Sequence, residues 1–480
     1  MGFAGTVPPG SSGLMTPIFC KRSQAVVRAV PVPLGGMPPR LDAAARAGFA
    51  DRLGQTGELL TKKRRLLLFR VGKDLEAAGA LAAARLHSVE RIAIDARMWS
   101  AADAARLAAG AVLRAWQFHA YRTRPDPDRP VLGAIDVLVD HPKAARAAYA
   151  ALQAGIEGAL FARALVAEPG NILTPASFAS RLAALGSEGI EVEILGPDRL
   201  AAEGLRGLLA VGRGSANPPC LAILRWPGTT DAPPVLFVGK GVTFDTGGVC
   251  IKPAAPMWEM RADMAGAAAC AGAMLALARR RSPAPAVAIL PLVENAIGAA
   301  SYRPGDVLTM VDDSTVEIVD TDAEGRLILA DSLAWGIRTV KPQAVIDFAT
   351  LTGSIVTALG HHMAGLFATD DVLAAHVAAA GASVDERAWR MPLSEAYRDA
   401  LTSDIADTRQ CSDGSLQPDA CHAALFLRGF VGDTPWAHLD IAGVEANEKG
   451  SDRYGAGPTG WGARLLDRLM HDRFEEPHRA

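Results

Sequence analysis

The chain has 480 residues and a formal net charge of −3, so it is long enough for two domains with a large core. The small negative charge gives no bulk electrostatic attraction to nucleic acid. No apolar run is long enough to cross a membrane. Six scattered cysteines lack metal-ligand spacing and fit reduced core residues of a soluble, cytoplasmic protein: Cys20, Cys220, Cys250, Cys270, Cys411 and Cys421.

The N-terminal segment, residues 1–21, is rich in Gly, Pro and Ser. No Asp or Glu precedes Asp42, whereas Lys21 and Arg22 are present, which is compatible with an organellar transit peptide. A clear Arg-rich amphipathic helix is missing, however. A disordered extension of a cytoplasmic protein is therefore the favoured prediction.

Alternating strands and Ala-rich helices predict a small α/β domain over residues 22–142, with strands at 64–69 and 91–95. Residues 143–167 are Ala-rich and predict a helical connector. From residue 168 to residue 480 the βα alternation predicts a larger catalytic α/β domain, with a mostly parallel sheet flanked by helices.

Charged residues in the larger domain stand in Gly-rich turns next to predicted strands. An apolar strand at 235–238 is followed by Lys240, Asp245 and Lys252, and Asp263 opens a long Ala-rich helix. Ligands of α/β sheets bind at the carboxyl ends of strands. Each residue also has an ordinary structural interpretation, in which the lysines are surface groups and Asp263 is a helix N-cap. Asp263 can also be a cap and a metal ligand at once.

The segment 320–327 carries the strongest signal. It lies between an alternating run predicted as a strand and a predicted helix, and it holds Asp320, Asp322, Glu324 and Arg326. Carboxylates crowded in this way repel one another unless cations hold them. The segment therefore predicts a metal site in a strand-to-helix turn.

No Ser-His-Asp arrangement is convincing as an alternative. His438 is the best-placed histidine, but it lies in an apolar run and is predicted to be a satisfied core residue.

Together these motifs resemble the leucyl (cytosol) aminopeptidase family of two-metal peptidases. The family pattern Asn-Thr-Asp-Ala-Glu-Gly-Arg-Leu is matched at seven of eight positions by residues 320–327. The segments around Lys240, Asp245, Lys252 and Asp263 match as well. The resemblance runs from about residue 165 to the C-terminal helix, with further matching stretches at 168–175, 302–307, 347–353 and 436–443.

The resemblance implies a dinuclear site and a reaction. Two divalent ions, Zn²⁺ or Mn²⁺, would be held by Lys240, Asp245, Asp263, Asp322 and Glu324. Four carboxylate charges match two divalent ions, but a lysine can ligate only when it is neutral. Lys252 and Arg326 would be the catalytic pair, with Arg326 holding a bicarbonate ion as the base. The implied reaction releases N-terminal amino acids from peptides by attack of a metal-bridging water, in a homohexamer built from two trimers.

The resemblance also implies a substrate pocket, formed by Met260, Asp320, Thr350, Leu351, Gly353, Ala442 and Glu445. Two of these depart from the family pattern. Asp320 replaces the usual Asn, and Glu445 stands where relatives carry a small or apolar residue. Glu445 would either favour substrates with a basic N-terminal residue or turn to solvent.

Two other functions stay open at this point. Another two-metal hydrolase, such as a phosphoesterase, would fit the ligand set, although the order of the motifs disfavours it. A regulatory DNA-binding role, known for some relatives, is disfavoured by the acidic balance and by the lack of a long Lys/Arg run.

Overall fold

The structure is a computed structural model that describes residues 15–33, 56–60, 65–86, 89–124, 132–412, 418–451 and 453–475. Two compact units divide the chain. One comprises Thr6–Ile156 with Asn447–Gly457, and the other comprises Glu157–Ala446 with Pro458–Ala480. Most of the N-terminal extension or transit peptide predicted at 1–21 lies outside the described residues.

The smaller unit is an α/β fold. Its described strands form one sheet in the order β1-β6-β5-β2-β4-β3, parallel except for the pair β3 and β4. These strands are β1 (Ile18–Cys20), β2 (Val27–Pro33), β3 (Thr56–Leu60), β4 (Arg65–Val71), β5 (Arg91–Asp95) and β6 (Ala134–Leu138). Its helices are α1 (Leu75–Arg85) and α2 (Ala101–Ala115), and α3 (Pro142–Val166) follows. The strands predicted near 64–69 and 91–95 are both present.

The larger unit contains a nine-stranded sheet within the described residues, in the order β16-β15-β18-β14-β9-β11-β8-β7, with β10 beside β11. Its strands are β7 (Glu191–Leu195), β8 (Cys220–Trp226), β9 (Val235–Gly239), β10 (Gly241–Asp245), β11 (Ala286–Asn295), β14 (Ala344–Ala349), β15 (Ala364–Ala368), β16 (Ala388–Arg390) and β18 (Trp436–Asp440). Short strands outside it are β12 (Val307–Thr309), β13 (Thr315–Glu317), β17 (Thr408–Arg409), β19 (Ala446–Asn447) and β20 (Gly457–Pro458).

The helices of this unit are α4 (Pro175–Ala183), α5 (Pro197–Ala202), α6 (Arg206–Gly212), α7 (Ala254–Met257), α8 (Ala265–Arg279), α9 (Glu324–Val340), α10 (Gly353–Leu359), α11 (Asp371–Ser383), α12 (Asp419–Arg428) and α13 (Ala463–Leu469). Shorter turns with other helical hydrogen bonding lie at Ala184–Glu188, Trp258–Ala262, Glu395–Leu401 and Met470–Phe474. No helix in the described part of the chain is long and apolar enough to span a bilayer.

The middle of the large sheet is parallel and covered on both faces. Strands β9, β14 and β18 are buried along their whole length, so none of them shows the polar–apolar alternation of a strand with one exposed face. The pairs of β11 with β8, β8 with β7, and β15 with β18 are antiparallel. The predicted α/β fold with a mostly parallel sheet is therefore confirmed.

Several parallel strands end at one edge of this sheet. The last residues of β9, β14 and β18 are Gly239, Ala349 and Asp440, and those of β10 and β11 are Asp245 and Asn295. The register pairs Ala349 with Asp440 and Asp245 with Asn295. Polar residues that follow these strands therefore meet at one edge, where α/β folds bind ligands.

The strand predicted before residue 320 has a different setting. It is the three-residue β13, which pairs with β12 and β17 in a separate small sheet. The turn at 320–323 therefore follows a strand of this small sheet and not a strand of the main sheet. The alternating pattern fits a strand, but nothing local in it identifies the partner strands.

The helix that begins at Glu324 is held from its middle by Asp331, which is fully buried. One carboxylate oxygen accepts from the backbone amides of Gly207 and Leu208, and the other accepts from the amide of Val311. Charge-assisted bonds of this kind are strong. They fix α9 against α6 and thereby fix the position of Glu324.

Candidate metal centre

Carboxylates from separate segments converge at this edge. Asp245 ends β10, while Asp322 and Glu324 belong to the turn that starts α9. Each of the three offers an oxygen within 4.8 Å of the others. The structure thus brings together residues that are distant in the sequence, in a spacing that suits shared cations.

Lys240 lies between β9 and β10, and its amine contacts the carboxylate cluster. Its Nζ is 2.9 Å from Asp263 Oδ1 and 2.9 Å from Glu324 Oε1, and it donates to the Thr350 carbonyl at 2.9 Å. A β-carbon at Gly325 would come within 2.7 Å of Lys240 Cε. The glycine after Glu324 is therefore required by the close passage of this lysine.

Lys252 joins the other side of the cluster. Its Nζ is 2.8 Å from Asp245 Oδ2 and 2.5 Å from Asp322 Oδ1. About a fifth of its side chain is exposed, compared with 4% for Lys240. Lys252 is therefore the lysine of the pair that a molecule arriving from solvent could reach.

Asp263 is buried but is not the helix N-cap. The cap position of α8 is Met264, which has no capping side-chain bond, so the N-cap interpretation was wrong. The Asp263 carboxylate instead accepts from Thr350 Oγ1 at 2.7 Å and faces Lys240. Its position outside the helix leaves it available as a ligand.

Asn295 is a site residue that the sequence interpretation missed. Its side-chain amide donates to Asp245 Oδ1 at 2.8 Å and to the Thr321 carbonyl at 3.0 Å. It thus ties β10 to the turn that carries Asp322. An Asn at the carboxyl end of a long apolar strand was the available signal.

The electrostatics favour bound cations. Burial, reinforced by Asp245 and Glu324, raises the pKa of Asp322 to about 7. Burial likewise raises the pKa of Asp263 and of Glu324. Because buried carboxylates so close together resist ionisation, a cation that stays in place is needed to keep all of them charged.

Unpaired oxygens give an independent test of fit. Asp263 Oδ2 and Glu324 Oε2 are buried, and neither has a hydrogen-bond partner in the described ranges. Buried polar atoms without partners are costly. Carboxylate oxygens and an amine are also ligand types that divalent metals accept, so the residues fit a metal site.

The two lysines balance half of the cluster's four carboxylate charges. Burial disfavours their charged forms, but the surrounding carboxylates outweigh it and raise the pKa of Lys240 and of Lys252. A divalent ion close to an amine reverses this balance. Lys240 could therefore become a neutral ligand only with metal present.

Arg326 follows Glu324 by two residues, and only 3% of its side chain is exposed. Its guanidinium donates to the Gln410 carbonyl at 3.0 Å and to Asp419 Oδ1 at 2.9 Å. Its Nε is buried without a hydrogen-bond partner among the described residues. Neither Gln410 nor Asp419 was a candidate from the sequence.

The loop after β14 holds three of the predicted substrate residues. Thr350 contacts Asp263 and Lys240, as described above, and the amide of Leu351 donates to Asp440 Oδ1 at 3.0 Å. Gly353 begins α10 after the capping Thr352. The loop therefore lies directly beside the carboxylate cluster.

Ala442 and Glu445 follow β18 at the same sheet edge. The Ala442 amide donates to Asp440 Oδ1, the oxygen that also accepts from Leu351. Glu445 Oε2 is buried, and it has no hydrogen-bond partner in the part of the chain described here. One carboxylate oxygen of Glu445 therefore lies in the interior, while the residue as a whole is half-buried.

The remaining predicted substrate residues are placed differently. Met260 is half-buried in the short turn Trp258–Ala262, just before Asp263. Asp320 Oδ1 accepts a hydrogen bond from the amide of Asp322 at 2.9 Å, so the Asp320 carboxylate stabilises the turn that carries Asp322. An asparagine oxygen could accept the same bond.

His438 lies in the core, as predicted. It is fully buried, and its Nδ1 is 2.5 Å from Asp347 Oδ1. Burial favours the neutral imidazole, but Asp347 outweighs it and raises the pKa of His438. The ring stacks against Phe367 and Trp436, so its environment is that of a structural residue.

The chain is similar to known proteins over most of its length. The "Cytosol aminopeptidase family, catalytic domain" matches residues 160–467. A "Probable cytosol aminopeptidase" of Methylobacterium radiotolerans is 43% identical over 445 residues, covering 91% of this chain and 86% of that protein. Another, from a Chelativorans species, is 40% identical over 97% of this chain and 96% of its own length.

Solved structures are similar over nearly the whole chain. The bottromycin maturation enzyme BotP in complex with Mn has a TM-score of 0.83 at 35% identity, covering 93% of this chain and 99% of BotP. The cytosol aminopeptidase of Coxiella burnetii has a TM-score of 0.83 at 30% identity, covering 95% and 99%. With similarity of this extent in both sequence and structure, the chain belongs to the cytosol aminopeptidase family and is a metal-dependent aminopeptidase.

Proposed function

We propose that this chain releases N-terminal residues from peptides at a dinuclear centre held by Lys240, Asp245, Asp263, Asp322 and Glu324. The observation that carries the proposal is the cluster of four carboxylates, three of them buried, and a buried amine at one sheet edge. Two divalent ions bound there would polarise the scissile carbonyl and lower the pKa of a bridging water. Four negative charges and two divalent cations balance.

Lys252 would act on the developing oxyanion. It is the more exposed of the two lysines, and its ammonium group is held by Asp245 and Asp322. The neighbouring carboxylates raise its pKa despite partial burial, which keeps it cationic. A fixed cation stabilises negative charge that forms only in the transition state.

Arg326 would hold the anion that receives the proton of the attacking water. The family resemblance assigns bicarbonate to this place. Support comes from the buried guanidinium, whose Nε lacks a partner in the described ranges, because an anion could accept from it. Asp419, and to a smaller extent Glu324, raise the pKa of Arg326 against the effect of burial, so this cation lies within electrostatic reach of the carboxylate cluster.

We also propose which metal ions the protein binds, its oligomeric state and its cellular location. Carboxylates with one amine suit Zn²⁺ or Mn²⁺, and the similar BotP structure contains Mn. We expect a homohexamer of two trimers, and sedimentation as an active monomer at micromolar concentration would contradict it. The six free cysteines fit a cytoplasmic location.

The substrate class can be tested with three compounds. The purified, Mn²⁺-loaded protein should hydrolyse leucyl amides that have a free α-amino group. It should leave the N-acetylated amide and an aryl phosphate ester intact. Equal cleavage of the acetylated compound would contradict exopeptidase action, and preferential cleavage of the phosphate ester would favour a phosphoesterase.

Glu445 should set the preference for the N-terminal side chain. Its Oε2 is buried and unpartnered within the described residues, and it follows Ala442 in the proposed pocket. A basic substrate side chain would pair with this carboxylate, whereas an apolar one would leave it desolvated. We expect lysyl and arginyl amides to be favoured over leucyl amide by about tenfold in kcat/KM, or about 1.4 kcal/mol.

The ratio of kcat/KM for lysyl amide to that for leucyl amide (the Lys/Leu ratio) should depend on pH. Burial raises the pKa of Glu445 to about 7, with Asp440 acting in the same direction and His361 opposing it. Glu445 is charged above this pKa, so the Lys/Leu ratio should rise between pH 6 and 8 in wild type. Glu445→Met should prefer leucyl amide at both pH values. An unchanged ranking in that variant would sink the assignment.

A further inference from the structure

The guanidinium of Arg326 already has an anion from within the chain. Its NH2 group donates to Asp419 Oδ1 at 2.9 Å, and its NH1 group donates to the Gln410 carbonyl at 3.0 Å. Asp419 raises the pKa of Arg326 against the effect of burial. The contact is therefore a charge-assisted hydrogen bond.

Asp419 begins a helix that is hydrogen-bonded to the segment holding the predicted substrate residues. It is the first residue of α12, and the next amide, that of Ala420, donates to Ser354 Oγ at 2.7 Å. Ser354 belongs to the loop and helix start that hold Leu351 and Gly353. The Asp419 side chain is 18% exposed, in contrast to 3% for Arg326. Asp419 is therefore the more accessible member of the pair.

Two features make this carboxylate a strong competitor for any dissolved anion. A group tethered to the same fold has a far higher effective concentration than a free ion. A second anion on the same guanidinium would also be placed beside the Asp419 charge, and like charges so close disfavour each other. To bind Arg326, bicarbonate would thus have to displace Asp419 or bind beside its negative charge.

We propose that Asp419 is the resident anion of Arg326 and takes the place of bicarbonate in this chain. Asp419 would accept the proton of the attacking water in place of bicarbonate, while Arg326 holds its carboxylate in position. The inference rests on the proposed function, since it names the anion that Arg326 holds there. It predicts an enzyme that is active without bicarbonate and that acquires a bicarbonate requirement when Asp419 is removed.

The experiment compares wild type, Asp419→Ala and Asp419→Asn in CO₂-free buffer, each loaded with Mn²⁺. Leucyl amide hydrolysis is followed while sodium bicarbonate or sodium formate is added. Wild type should change less than about twofold, whereas Asp419→Ala should lose roughly 100-fold in kcat and recover most of it with either anion. Calorimetric titration of bicarbonate should show binding to Asp419→Ala that is at least tenfold tighter than to wild type.

A matched control is available in Asp371→Asn. Asp371 also lies in the first turn of a helix and pairs with an arginine, Arg390, at 3.0 Å. It should behave as wild type in every assay. A merely structural Asp419 would lower stability and activity without rescue by bicarbonate, and that outcome overturns the proposal.

Wild type alone can also decide the question if Asp419→Ala fails to fold. Stimulation of wild type by bicarbonate of several-fold or more would show that Asp419 does not fill this place. Full activity of Asp419→Asn without added anion would overturn the proposal as well. Lack of any metal-dependent amidase activity in wild type would instead contradict the proposed function.

Discussion

Replacing Glu324 with alanine is expected to abolish peptidase activity while leaving the chain folded. The carboxylate is 1% exposed, faces Lys240 at 2.9 Å and lies within the carboxylate cluster. Its loss removes a proposed ligand and one of the charges that two divalent ions balance. Because metal-ion catalysis supplies several kcal/mol, kcat/KM should fall by roughly 1,000-fold or more.

Asp263→Ala should also abolish peptidase activity, because the Asp263 carboxylate, like that of Glu324, lies 2.9 Å from the Lys240 amine. Glu395→Ala is a suitable control because Glu395 pairs with Arg398 in an exposed ion pair. Circular dichroism and thermal unfolding establish whether each variant is folded. A folded Glu324→Ala protein with more than half of wild-type activity would contradict the assignment.

Lys252→Ala should reduce kcat rather than raise KM. The proposed oxyanion exists only after attack on the carbonyl, so a cation directed at it stabilises the transition state and not the bound substrate. The loss of one such donor corresponds to a fall in kcat of roughly 100-fold or more. The measurement is steady-state hydrolysis of leucyl amide at saturating Mn²⁺.

The control for Lys252 must separate catalysis from metal binding, because its amine contacts Asp245 and Asp322. Metal content is therefore measured on the same samples, and Lys449→Ala provides an exposed lysine for comparison. If Lys252→Ala keeps a normal kcat and shows only a raised KM, the lysine holds substrate and does not stabilise the oxyanion.

Local patterns in the sequence were sufficient to predict the fold class and many of its elements. The apolar run at 235–238 is a buried parallel strand, and Lys240 follows it at the sheet edge, where Asp245 ends the next strand, β10. The helix after residue 323 was also expected, although it begins at Glu324 and continues to Val340. These features depend on hydrophobic period and turn chemistry, which are local.

Other features depend on contacts between distant segments. Asp263 precedes a helix, which suggested an N-cap, but Lys240 and Thr350 hold its carboxylate instead. Asn295 meets Asp245 only because β10 and β11 are neighbours. Asp419 lies 93 residues from Arg326, and no periodicity in the sequence could indicate that pairing.

The central claim is that the carboxylate and lysine cluster works through two bound divalent ions. The most direct measurement removes metal by exhaustive chelation and then titrates Mn²⁺ back while ion content and leucyl amide hydrolysis are followed together. We predict negligible activity in the metal-free protein and full recovery as the content approaches two ions per chain. Full activity in chelated protein with metal content near zero would contradict the account.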